Sequence, residues 1–123
     1  MAAIKSFTDL QQSRKLAEIL PIESADMYYT AGLNVNGKHY YKTPYIMERK
    51  EDLNEYTFPC WSLASLLEVL PYPQLSKDKL GSGKVGWMVS VYPNDCRYDS
   101  CWHDNPVDAC VELIGKLNEL NLI

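Results

Sequence analysis

Residues Pro59-Cys60-Trp61-Ser62-Leu63-Ala64-Ser65-Leu66-Leu67-Glu68-Val69-Leu70 form a nearly all-apolar run, with Pro59 at its start and Pro71 directly after it. Leu63, Leu66, Leu67 and Leu70 follow the i, i+3, i+4, i+7 spacing of a buried helical face. The polar residues Ser62, Ser65 and Glu68 recur every third position and leave only a narrow strip for solvent. A helix this apolar must be covered on most sides, so the run predicts a central helix over 59–70 around which the rest of the chain packs.

Two further helices carry clear boundary signals. Ser6 predicts the cap of a first helix, with Asp9 three residues on, and Pro21 stops it after Leu20. Its inner face would hold Leu10, Leu16, Ala17, Ile19 and Leu20, and Arg14 and Glu18 would pair on the wet side. Near the end of the chain, Asn105 is a good N-cap, Pro106 suits the first helical position and Asp108 favours the positive helix end. Val107, Cys110, Val111, Ile114 and Leu117 give the inward stripe, and Asp108, Glu112, Lys116 and Glu119 face water.

Strand signals lie between the helices. Asn36-Gly37 is the dipeptide of a type I′ turn, and the Tyr-, Thr- and Val-rich flanks from Asp26 to Val35 and from Lys38 to Thr43 make it a β-hairpin. Met27, Tyr29, Ala31, Leu33 and Val35 would share one face. Pro44 makes Tyr45-Ile46-Met47 an edge or a bend. Glu48 to Asp52 reads as a solvated loop, and 71–84 as a long exposed connection. Val85 to Tyr92 is a strand with Val85, Trp87, Val89 and Val91 on one side. The expected order is α-β-β-α-β-α: one α+β domain over 1–123, with a three-stranded, mainly antiparallel sheet and three helices.

Bulk properties narrow the function classes. Twelve basic against sixteen acidic residues give a net charge of −4, and the lysines form no dense patch, which argues against a nucleic-acid partner. No run approaches the length needed to span a bilayer, and the first residues lack the basic and apolar regions of a leader. The expectation is a cytoplasmic protein, without a membrane partner, whose four cysteines stay reduced.

Two constellations invite chemistry. Cys96, Cys101, His103 and Cys110 supply three thiols and an imidazole within fifteen positions, a zinc ligand count without a Cys-x2-Cys pair. Cys110 also falls on the apolar stripe, so interior packing outweighs the zinc reading and no cofactor is expected. Cys60, placed in the first turn of a helix and followed by Trp61, resembles the nucleophile of papain-like peptidases, with His103 as base and Asp104 or Asn105 as orienter. Phe58-Pro59 stand where such peptidases carry glycine-bearing residues, so catalysis is the weaker expectation, ahead of a zinc-stabilised module. Gly81-Ser82-Gly83-Lys84 lacks the full phosphate-loop pattern. Paired Tyr28-Tyr29 and Tyr40-Tyr41 place one ring of each pair on each sheet face, and Tyr28, Tyr40 and Tyr41 are candidates for contact with a protein partner or a second copy.

Pro59-Cys60-Trp61-Ser62-Leu63 through Leu70-Pro71, Gly86-Trp87-Met88-Val89, and Asn105-Pro106-Val107-Asp108-Ala109-Cys110 together resemble uncharacterised short proteins encoded in bacterial prophages and related mobile elements. The likeness spans roughly residues 20 to 120, judged from the motif positions. It implies a phage-related origin and transfers no catalytic residue; the incomplete catalytic and ligand constellations and the tyrosine-rich hairpin add the expectation of an accessory protein that works by protein–protein contact.

Overall fold

A computed structural model of the chain describes residues 5–123, without the side chains of Asn34 and Lys38, and the first four positions of the stretch read for a leader lie outside the described residues. The elements are α1 (Leu10–Ile19), β1 (Met27–Asn34), β2 (Gly37–Tyr40), β3 (Tyr45–Ile46), β4 (Thr57–Cys60), α2 (Leu63–Val69), β5 (Gln74–Lys79), β6 (Val85–Val91), β7 (Tyr98–Asp99) and α3 (Pro106–Glu119), with 3-10 turns at Ile22–Ser24 and Lys50–Asp52. The class is α+β, as expected. The single three-stranded sheet is corrected: there are two antiparallel sheets, one of four strands and one of three. The described residues divide into two compact units, Phe7–Ser65 and Leu66–Ile123, the latter together with Lys5 and Ser6.

In the first unit β1 is the organising strand. Its outer half pairs with β2 across the Asn36-Gly37 turn, where Gly37 takes a φ of 100°, as the turn demands. Its inner half lies between β3 and β4, with Met27 opposite both Ile46 and Cys60. Pro59 is therefore a strand residue facing Tyr28, tolerated because β4 pairs only with β1. The predicted central helix thus starts late. Residues 59 and 60 belong to the sheet, and α2 begins only after Ser62, whose backbone N–H and hydroxyl both donate to Asp26. Ser62 Oγ in turn accepts the Ser65 N–H at 3.2 Å, as an N-cap does. Leu66 and Leu70 are buried and Leu63 and Leu67 half-buried, while Ser65 is buried and the water-facing positions are Ala64 and Glu68.

Helix α1 is capped by Asp9, not Ser6. Asp9 Oδ1 accepts the Gln12 N–H at 2.8 Å and Gln12 Oε1 accepts the Asp9 N–H at 3.1 Å, a closed reciprocal box. Arg14, expected to pair with Glu18, lies 5.9 Å from the centroid of the Tyr40 ring.

Between α1 and the sheet sits a buried polar knot centred on Thr8, which is fully buried. Thr8 Oγ1 lies 2.8 Å from Ser13 Oγ and 3.5 Å from Cys60 Sγ, and accepts the Trp61 N–H at 3.1 Å. The Thr8 carbonyl accepts the Tyr29 hydroxyl at 2.6 Å and the Cys60 thiol at 3.4 Å, and the Thr8 N–H donates to the Trp61 carbonyl at 2.9 Å. Every partner is itself interior, so each bond is made where water cannot replace it. The Trp61 indole N–H ends on Ser24 Oγ at 2.9 Å, which lets a fully buried Trp satisfy its one polar atom.

The second unit packs α3 on the sheet β5-β6-β7. The predicted stripe of α3 is buried throughout, joined by Ala109 and Leu113. Each fully buried Val, Leu or Ile here contributes about 1.5–3 kcal/mol relative to exposure. Val89 and Val91 meet it from β6, while Val85 at the strand's start stays in water. The predicted long connection is half strand: β5 pairs in register with β6 from Gln74 opposite Ser90 to Lys79 opposite Val85. Its solvent-exposed residues hid the strand from pattern reading, and Lys77 covers Trp87 with its ammonium 5.1 Å from the ring centroid. Gly81 to Lys84 is the turn between these strands, closed by Gly83 at φ 87°.

Replacing Thr8 by the isosteric Val strips the Trp61 N–H and the Ser13 hydroxyl of a buried partner. Thr8→Val is expected to lower unfolding free energy by about 2–3 kcal/mol in urea melts, against roughly 0.5 kcal/mol or less for Ser82→Ala in the exposed turn between β5 and β6.

Candidate functional site

The residues singled out from the sequence fall into three places. Cys60 lies in the first unit at the end of β4, fully buried within the Thr8 knot. It is not in the first turn of a helix, so no helix-end field acts to lower its thiol pKa. Burial is the largest influence on it and pushes the thiol pKa up, against the hydrogen bonds from Thr8, Ser13 and Tyr29. Tyr29 is raised as well, by burial first and then by Cys60. Both groups are held neutral as packing and hydrogen-bonding parts.

Cys96, Cys101, His103, Asp104 and Cys110 lie in the second unit. Cys110 is fully buried on α3, and burial lifts its pKa to about 12. Cys96 and Cys101 are exposed, all four cysteines are unbonded thiols, and Asp104 is exposed beside the α3 cap. Among the described residues no three His, Cys, Asp or Glu side chains are arranged to hold a metal ion.

What holds Cys101 and His103 in place is a β-bulge. Ser90 faces Asp99 and Trp87 faces His103, so three steps along β6 match four on the opposite segment. The Ser100 hydroxyl fills the gap in the ladder, accepting the Val89 N–H at 3.0 Å and donating to the Cys101 carbonyl at 2.8 Å. The displaced Cys101 N–H donates instead to Glu112 of α3, at 3.2 and 3.1 Å from its two oxygens. Glu112 Oε1 also lies 3.0 Å from His103 Nε2. Glu112, read from the sequence as a solvent-side residue, is thus the clasp between helix and bulge. Burial would raise its carboxyl, but the His103 and Cys101 hydrogen bonds outweigh it and hold the pKa below the ordinary range. The same carboxylate pushes the Cys101 thiol up. A nucleophile needs the imidazole between thiol and carboxylate; here the carboxylate sits between the other two.

The tyrosines sort by strand parity. Tyr40, opposite Ala31, lies on the same sheet face as Tyr29 and packs edge-on against Phe58, with ring centroids 6.0 Å apart. Tyr28 and Tyr41 lie on the other face. Tyr28 stacks on Tyr45 at 5.8 Å, with 26° between the planes, and His39 meets Tyr41 edge-on at 5.5 Å. The last pair lies over Gly32, where an added Cβ would come within 2.9 Å of the Tyr41 hydroxyl and 3.1 Å of the His39 ring. Tyr45 and Tyr41 remain more than half exposed, at 57% and 56%. Pro44 breaks the strand but lets it resume at Tyr45, whose pairing with Tyr28 becomes visible only with the register.

No family model matches the chain, and comparisons with curated proteins and with solved structures return no significant match. No helix among the described residues is long and apolar enough to cross a membrane.

Iodoacetamide should therefore label native protein at Cys96 first and Cys101 more slowly, with Cys60 and Cys110 reacting only after unfolding, as read by peptide mass spectrometry. Glu112 sets an acid limit. A carboxylate with a lowered folded pKa adds stability that is complete above its unfolded value of about 4.3 and is lost as pH falls through the folded value. Urea melts from neutral pH down through that window should show a decline that becomes shallower in Glu112→Gln, which itself costs about 1–2 kcal/mol at neutral pH.

Proposed function

We propose that this chain is a cytoplasmic, prophage-type accessory protein that acts by protein–protein contact, with the aromatic face of β1, β2 and β3 as its contact surface. One observation carries the reading. Tyr28, Tyr45, His39 and Tyr41 lie on the sheet face turned away from the Thr8 knot, arranged as two packed ring pairs, and the outer rings stay half in water. Tyrosine supplies broad contact area at a low entropic cost and is enriched in interface cores. The prophage assignment is supported by the sequence motifs alone. The buried Cys60, and a Glu112 that separates Cys101 from His103, favour contact over catalysis.

A photoreactive phenylalanine analogue at position 41 or 45, in cells expressing the chain, is expected to give a discrete adduct that the same analogue at Glu119 does not give. An adduct of twice the chain's mass identifies a second copy as the partner. Adducts no stronger than at Glu119, or unchanged when Tyr28 is replaced by Ser, overturn the proposal.

A further inference from the structure

The same sheet borders a second concave surface, built on the face of Tyr29 and Tyr40 and meeting the aromatic face at Tyr41. Beside the first turn of α1, Leu10, Tyr29, Tyr40, Tyr41 and Lys42 line an open space of about 470 Å3, within the size range of specific ligand sites. Its walls are mainly apolar and aromatic. Its charge is one-sided. Lys42 stands exposed on the rim, and among the described residues no carboxylate pairs with it. Arg14, one helical turn after Leu10, lies over the outer wall, Tyr40. The nearest acid, Asp9, also borders the space, but its carboxylate is engaged in capping α1. Two cations therefore edge an aromatic hollow in a chain of net charge −4.

The apolar lining also continues outward. Ala31 and Leu33 follow Tyr29 along the same face of β1, and Leu33 is 68% exposed. A small anion would fill the hollow and leave this strip bare, whereas a peptide covers both.

We propose that this groove binds an acidic peptide segment of a partner protein. One aromatic side chain of the segment fills the hollow between Leu10 and Tyr40, and flanking carboxylates meet Lys42 and Arg14. The contact shares only Tyr41 with the aromatic face described above and leaves Tyr28 and Tyr45 outside it.

The test uses the whole isotope-labelled chain and a short synthetic peptide of glutamates around a single phenylalanine. Saturable amide shifts are expected at Leu10, Gln11, Tyr40 and Lys42. Affinity should fall about tenfold or more in Lys42→Glu, with its unfolding midpoint unchanged. Lys42→Gln should fall between the two. The proposal is overturned if the peptide gives no saturable shifts, if shifts centre on Tyr28 and Tyr45, or if Lys42→Glu binds as well as the parent. Equal binding of the lysine-for-glutamate peptide overturns it too, and equal binding of phenylacetate alone would make the groove a small-carboxylate site. Cross-linking at position 45 does not depend on Lys42, so either surface can fail without the other.

Discussion

Thr8 is a small residue with three hydrogen-bonding atoms, and the first unit is assembled around all of them. Its hydroxyl and its backbone groups reach Ser13 in α1, Tyr29 in β1, and Cys60 and Trp61 at the end of β4, which are three elements far apart in sequence. A purely apolar interior would tolerate many ways of sliding a helix over a sheet. A hydroxyl that must accept one amide proton while facing another hydroxyl tolerates few. The knot therefore fixes where α1 sits, and with it the cleft beside its first turn, through the cost of leaving any one of these polar atoms dry and unbonded.

The same logic recurs in the second unit with an ionised group. The bulge after β7 breaks the ladder, and a broken ladder leaves amides to be satisfied. Ser100 and Glu112 take them. Glu112 thereby fastens the segment carrying Cys101 and His103 to α3, so what looks in the sequence like a reactive cluster is structural stitching. Thiols and an imidazole close in sequence say nothing about which carboxylate stands between them.

Much of this architecture was legible beforehand, and the illegible parts share a cause. Helix α3 could be read from Asn105, Pro106 and its five-residue apolar stripe because local signals and burial agree there. The Asn36-Gly37 hairpin was legible for the same reason. Strand β5 was not, since Gln74 to Lys79 lies at a sheet edge in water and shows no alternation; its conformation comes from the register that β6 imposes. The start of α2 was misplaced because Pro59 suits both a first helical turn and an edge strand, and only pairing with Tyr28 decides between them. Of the tyrosine candidates, Tyr28 and Tyr41 share one sheet face, whereas Tyr40 lies on the face of Tyr29, and the stacking of Tyr45 on Tyr28 follows only from the register of β3 on β1.

Gly32 has a consequence beyond its own backbone. Because it offers no Cβ, the Tyr41 hydroxyl and the His39 imidazole settle directly on the strand, and each ring limits the swing of the other. Side chains already confined in this way surrender little rotational freedom when something lands on them, so more of the contact energy survives as net affinity. A missing methyl group on one strand thus stiffens the surface above it.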